Sequence, residues 1–179
     1  MENKYALTLV ELSQERMNWD ELYHAMLPRI FNYFLYRIGN EQEAEDLSSI
    51  LFERVWRNKG RYRSDLASFQ TWMYGVAHNV FREYLRDRRK RQDLERRLHA
   101  ETHDNDVLDR GKVERSLLLA HLIMELPDVD QELVALKYGA GLNNREIAKL
   151  THLSESNVGT RLFRTITLLR EQLEVKNGR

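Results

Sequence analysis

Apolar residues recur at three- and four-residue steps along most of this chain, and that period constrains the fold more than any other feature. Between Trp19 and Ile38 the series Leu22, Ala25, Met26, Ile30, Phe34 and Ile38 lays one stripe along a helix, where a strand would need strict alternation. Pro28 falls inside the series and predicts a kink or a break, since proline lacks an N–H and crowds the preceding turn. Gly39 can stop this helix. Asn40 can cap the next one, with Glu43 at the capping-box spacing. Ala44, Leu47, Leu51 and Val55 then share a face to about Trp56, while Glu41, Glu45 and Asp46 occupy the opposite face. The polar run NKGRYRSD, Asn58 to Asp65, reads as a loop. From Ala67 to about Arg97 the pattern is again helical, apolar as far as Leu85 and basic beyond it.

The hydrophobic period fades between Asp93 and Lys112, where mixed charge, Asn and Gly predict a flexible linker. Val113 to Leu126 reads as a helix stopped at Pro127, and Asp128 to Tyr138 as another, ended by Gly139–Ala140–Gly141. The chain has only two prolines and eight glycines, few for a β-rich fold built on turns. The expectation is an all-α protein of two small helical domains joined by a flexible linker. Its boundaries are an N-terminal extension over 1–19, a first domain over 20–92, a linker over 93–112 and a second domain over 113–179.

Composition excludes several functions. There are no cysteines, which removes disulfides, thiolate metal sites and thiol chemistry and suits a cytoplasmic protein. No apolar run approaches the roughly 20 residues that span a bilayer, and the first residues have no signal-type apolar core. The six histidines are scattered; His99 and His103 are four apart but sit in the linker, and no HExxH occurs. Without a phosphate-binding loop, nucleophile elbow or dinucleotide fingerprint, no catalytic residue, metal or cofactor is expected, and the chain reads as a non-enzyme.

Net charge is zero, with 28 basic and 28 acidic residues, which argues against nucleic acid unless charge is segregated. It is segregated. NEQEAED, Asn40 to Asp46, holds four acids and no base, whereas Arg82 to Arg97 holds eight bases against four acids.

Near the C-terminus, NNREIAKLTHLSESNVGTRLFRTITLLREQ has the spacing of a helix-turn-helix. Asn143 can cap its first helix with Glu146 three residues on, and Ser154 can cap the second. Ile147, Leu150, Val158 and Leu162 face inward, Ala148 allows a close crossing, and Leu153 anchors the turn. His152 stands where a left-handed residue is needed, and Gly159 lies inside the second helix. The outer face of that helix offers Glu155, Ser156, Thr160, Arg161 and Arg164, types that hydrogen-bond bases and phosphates in a major groove. The same pattern also fits an αα-corner with an ordinary solvated face.

The segment LPDVDQELVALKYGAGLNNREIAKLTHLSESNVGTRLFRTITLLRE, Leu126 to Glu171, resembles the C-terminal promoter-binding domain of bacterial sigma factors. The best-matched positions are Glu146, Ile147, Ala148, Val158, Arg161, Leu162 and Arg164. Two earlier segments match the same family in its order and spacing. EAEDLSSILFERVWR, Glu43 to Arg57, resembles the helix that binds the polymerase clamp, and ASFQTWMYGVAHNVFREYLRDRRKR, Ala67 to Arg91, the helices that open and read the minus-ten element. The short linker is similar to that of the two-domain extracytoplasmic-function group. The resemblance implies a transcription initiation factor that binds core RNA polymerase at its clamp and flap regions, recognises a two-part promoter and helps melt it. It also implies an anti-sigma partner and a monomer when free.

Carried over residue by residue, the resemblance implies polymerase binding by Glu45, Asp46, Leu47, Ser49 and Ile50. It implies minus-ten contacts by Tyr62, Arg63, Asn79, Arg82 and Arg86, with Asn79 at the flipped base and the Asn58–Asp65 loop beside it. Aromatics interleaved with bases suit a melted strand, which is held by stacking and phosphate pairing. Trp72 and Phe81 read as core instead. Minus-thirty-five contacts fall to Ser156, Asn157, Thr160, Arg161 and Arg164. Ser49–Ile50 stand where the family often has Gln-Glu, which changes the polar part of the clamp contact and offers apolar area from Ile50 instead; Gly159, Ile166 and Thr167 replace frequent bases, so weaker or altered upstream recognition is expected. A free-standing helix-turn-helix regulator, or a sigma-like interaction module without promoter activity, are the competing readings.

Overall fold

The expected helices form, and every regular element among the described residues is helical. In this computed structural model the described residues are 19–98 and 113–177; the extension over 1–18, the His99–His103 pair and the linker stretch 99–112 lie outside them. Helix α1 (Trp19–Ile38) runs through Pro28 without ending. A mid-helix proline costs a hydrogen bond, but here Leu22, Met26, Ile30, Phe34 and Ile38 are all buried on one side, and that burial holds the helix through it. Gly39 ends α1 with φ 71°, its N–H donating to the Leu35 carbonyl at 2.8 Å.

Helix α2 (Glu41–Asn58) starts on its expected cap: Asn40 Oδ1 accepts the Glu43 N–H at 3.0 Å. The Glu43 carboxylate takes another partner, accepting the Tyr84 hydroxyl at 2.8 Å across to the next long helix. A 3₁₀ turn, Lys59–Arg61, tightens the loop that follows. Helix α3 (Phe69–Leu98) is capped by Ser68, whose Oγ accepts the Thr71 N–H at 3.2 Å. It continues past the boundary at residue 92 that the sequence pattern marks, as the basic run keeps strong helix formers.

In the second half, α4 (Val113–Met124) precedes Pro127, and α5 (Asp128–Val134) is prolonged by a π-helical turn, Ala135–Gly139. Helices α6 (Asn144–Thr151) and α7 (Glu155–Asn177) make the helix-turn-helix. The Asn143–Glu146 capping box is complete, with both reciprocal bonds formed at 2.9 and 3.0 Å. His152 is left-handed, φ 57°, and Ser154 Oγ accepts the Asn157 N–H at 3.2 Å. At Gly159 a Cβ would meet only the end of the Asn144 side chain, at 3.4 Å, an ordinary van der Waals contact, so the crossing of α6 and α7 does not require glycine there.

The linker composition suggests two halves free to move, yet here they are docked. Helix α1 packs on α2 with one side and on α4, α5 and the π turn with the other, while α3 touches α6. Buried side chains form one continuous core through both halves, from Leu22 to Leu169.

Candidate nucleic-acid interface

Helix α3 carries two faces. Met73, Tyr74, Ala77, Val80 and Phe81 are buried against the rest of the fold. Trp72, Val76, Asn79, Arg82 and Arg86 line an open groove of about 920 Å³, with Arg54 and Asn58 of α2 and Arg61 of the 3₁₀ turn on its other wall. The groove holds six basic residues against two acidic ones, Glu83 and Asp93. One acid is already compensated: Arg54 Nη2 donates to Glu83 Oε2 at 2.5 Å, and that bond holds the Glu83 carboxyl below its ordinary range. Arg86 makes a loose contact with its neighbour, Nε to Asp87 Oδ1 at 3.7 Å. Asn79, Arg82 and Arg86 are exposed, so their polar ends are available to a ligand.

The groove departs from the sequence reading in three ways. Trp72, read as core, is half-buried and forms part of the groove wall, because 72, 76 and 79 fall on one face of α3. Tyr62 and Arg63 are not among the lining residues. Tyr62 packs edge-on against Phe69 at 5.1 Å, and its hydroxyl donates to the Ala67 carbonyl at 3.1 Å. Arg63 folds back on Asp65 through two bonds of 3.2 and 2.7 Å. Both shape the loop beside the groove. Finally, Arg54, Arg89 and Lys90 belong to the groove. No local pattern singles out Arg54, since α2 meets α3 only in three dimensions; Arg89 and Lys90 lie in the RRKR run, where helical spacing from Arg82 and Arg86 was the available signal.

On α7, Val158 and Leu162 are buried against α6, and Ser156, Asn157, Thr160 and Arg164 are exposed on the outer face. Arg161 is different. Its Nε donates to Asp130 Oδ1 of α5 at 2.9 Å, and it is half-buried. On α2, Glu45, Asp46, Ser49 and Ile50 are exposed. The Ser49 hydroxyl donates to the Glu45 carbonyl at 3.1 Å. Leu47 is a core residue, 6% exposed, and supports that face from beneath.

A basic groove beside an aromatic wall, an acidic helix face and a capped helix-turn-helix thus occur in one chain. Residues 22–91 match the model of sigma-70 region 2, and residues 116–169 match that of sigma-70 region 4. The chain belongs to the sigma-70 family. The first match contains the acidic helix and most of the groove; the second contains the helix-turn-helix. Among relatives of this sigma factor, the extracytoplasmic-function (ECF) RNA polymerase sigma factor SigM of Bacillus subtilis is 29% identical over 149 residues, covering 83% of this chain and 90% of SigM. The sigma factor YlaC of the same organism is 28% identical over 169 residues, covering 92% of this chain and 94% of YlaC. The fold is that of the sigma factor RpoE in its complex with the anti-sigma factor NepR from Bartonella quintana, with TM-score 0.70 and 16% identity over 89% of this chain and 99% of that one. No described helix is long and apolar enough to cross a membrane.

Proposed function

We propose that this sigma factor directs core RNA polymerase to a two-part promoter and captures the melted strand in the α3 groove. The observation that carries the reading is the groove itself. It joins an exposed amide, Asn79, to a half-buried indole, Trp72, and to the exposed guanidiniums of Arg82 and Arg86. That combination stacks a base, bonds its edge and pairs the flanking phosphates, which suits single-stranded DNA better than a duplex. Tyr62 and Arg63 hold the loop beside it. Ser156, Asn157, Thr160 and Arg164 on α7 read the minus-thirty-five duplex, with Arg161 available when Asp130 releases it.

The exposed acids Glu45 and Asp46, with Ser49 and Ile50, form a face for a basic, partly apolar partner, assigned to the polymerase clamp. The helix-turn-helix half is assigned to the flap. An anti-sigma factor regulates the protein, which acts in the cytoplasm and performs no chemistry of its own. A match in both halves favours this reading over a free-standing helix-turn-helix regulator.

Run-off transcription with core RNA polymerase and pooled promoter fragments tests it. Transcripts that require this protein are the expected result, and their start sites define both elements. Co-elution with core enzyme without any transcript would instead support an interaction module lacking promoter activity.

A further inference from the structure

A carboxylate is out of place in a groove that pairs phosphates, yet Glu83 lines the α3 groove. It lies one helical turn from Asn79, and both share a stripe with Trp72 and Val76, since residues 72, 76, 79 and 83 follow three- and four-residue steps. The groove's other acid, Asp93, stands about 15 Å further along the same helix. Glu83 is therefore the acid beside the amide that meets an unstacked base. Arg54 reaches it from α2, donating Nη2 to Oε2 at 2.5 Å. That hydrogen bond, ahead of the Arg54 and Arg86 charges, holds the carboxyl below its ordinary range, so Glu83 is ionised at neutral pH. Its side chain is 41% exposed. Among the described residues Oε1 accepts no hydrogen bond. A carboxylate accepts on both oxygens, so the ion pair orients Glu83 and leaves one acceptor unused.

We infer that Glu83, steered by Arg54, selects a base of the captured strand by accepting a hydrogen bond from its exocyclic amine, favouring cytosine or adenine over thymine, a role that rests on the single-strand reading above. The DNA backbone offers an ionised carboxylate nothing: phosphates repel it, and deoxyribose within a strand has no hydroxyl to donate. Its DNA partners are base N–H groups. Cytosine N4 and adenine N6 are amines, whereas thymine turns the O4 acceptor to the same place. The one N–H of thymine is flanked on both sides by carbonyl oxygens, whose lone pairs oppose a carboxylate. Guanine falls between, with an O6 acceptor beside its donors. Asn79 alone cannot make this choice, because an amide carries donor and acceptor and turns to suit either edge. Glu83, once ionised, only accepts. Arg54 acts in two ways. It fixes one oxygen and hence the set of the other, and it neutralises a charge that would repel the phosphates paired by Arg82 and Arg86. Arg54 is thus a positioning residue rather than a contact to the strand.

Two single-stranded probes test the selection: oligodeoxycytidylate and oligodeoxyuridylate, each about twelve nucleotides long, within the site sizes of such grooves. They share a backbone and differ along one base edge, the C4 amine of cytosine against the carbonyl of uracil. Fluorescence anisotropy with the full chain should show the cytidylate bound about three- to tenfold more tightly, the scale of one hydrogen bond to a charged group. Glu83→Gln keeps the shape but can turn its amide, and should bind the two within a factor of about two. Arg54→Ala should weaken both severalfold, and Arg54→Ala with Glu83→Gln should recover the affinity for the uridylate, because the unneutralised charge is then gone. A brace with a merely structural role would give no such recovery. Equal binding of both probes by the wild type, or a preference that survives Glu83→Gln, would overturn the selection while leaving the groove in place. A double variant as weak as Arg54→Ala would overturn the role given to Arg54. Wild type that binds neither probe, alone or with core RNA polymerase, or binding indifferent to Arg82→Ala with Arg86→Ala, would strike the groove reading itself and the selection with it.

Discussion

The α3 groove and the recognition helix α7 use the same residue type and leave it in different states. In the groove, Arg82 and Arg86 are exposed, the groove acid Glu83 is already taken by Arg54, and Asp87 reaches Arg86 only at 3.7 Å. On α7, Arg161 is held by Asp130, while Arg164 is exposed. The first surface arrives charged and open; the second has one of its two central guanidiniums satisfied before DNA appears. Counting basic residues in a motif therefore overstates the charge a surface can offer, because a paired guanidinium must first give up its partner.

The largest expected effect is in the groove. Arg82→Ala with Arg86→Ala should cut open-complex formation by about 10- to 100-fold, given the few kcal/mol that a base and its phosphates contribute in a stacking groove. Permanganate footprinting measures it, and unchanged melting would remove the groove from the mechanism. A smaller effect is expected upstream. Arg161→Ala with Arg164→Ala should weaken minus-thirty-five duplex binding while sparing polymerase binding, and should flatten the salt dependence by about one phosphate contact rather than two. A fall of two would mean that the Asp130 pair opens freely in solution. Asp130→Asn makes the opposite test. Freeing Arg161 should tighten duplex binding severalfold and steepen the salt slope, at a stability loss of about 1 kcal/mol for this half-buried pair.

Two titrations carry the smallest effects. Burial, then the hydrogen bond to Glu43, pushes the Tyr84 hydroxyl up to about 12 from its ordinary 10.0. The neutral phenol is the stabilised form, so its contribution is complete below pH 10 and is lost as pH climbs towards 12. Thermal melts of Tyr84→Phe should show about 0.5–1.5 kcal/mol less stability at neutral pH and a shallower decline above pH 10. Glu132 behaves in the opposite sense. Burial alone would raise its carboxyl, but the hydrogen bond from His78, with the charges of Arg37 and His78 and the Tyr33 hydroxyl, more than offsets it and holds it below 4.5. Its contribution is complete above pH 4.5 and fades as pH falls through the lower docked value. Thermal melts across that range should show stability falling in acid, and Glu132→Gln should make the fall shallower, with the lowered carboxyls of Glu83 and Asp65 supplying the remainder.

Helix positions, caps and the helix-turn-helix were legible because they are local. Asn143 with Glu146, the left-handed His152 and the Val158–Leu162 step need only neighbouring residues and a 3.6-residue period. The Glu43 carboxylate is an instructive exception: its capping-box spacing was right, yet Tyr84 from α3 claimed it. Arg54 in the groove and the Asp130–Arg161 pair were invisible for the same reason. Each joins residues far apart in sequence, and no periodicity encodes which helix faces which.

The all-helical chain, its segregated charge and the two family segments follow from the order of the residues, since short-range hydrogen bonding and amphipathic spacing specify helices one at a time. Tertiary structure alone decided that Trp72 lines the groove, that Arg161 is paired and that the two halves dock. Those outcomes depend on which partner satisfies a buried charge such as Glu132 or Arg37, and burial and close contact exist only once the helices have packed.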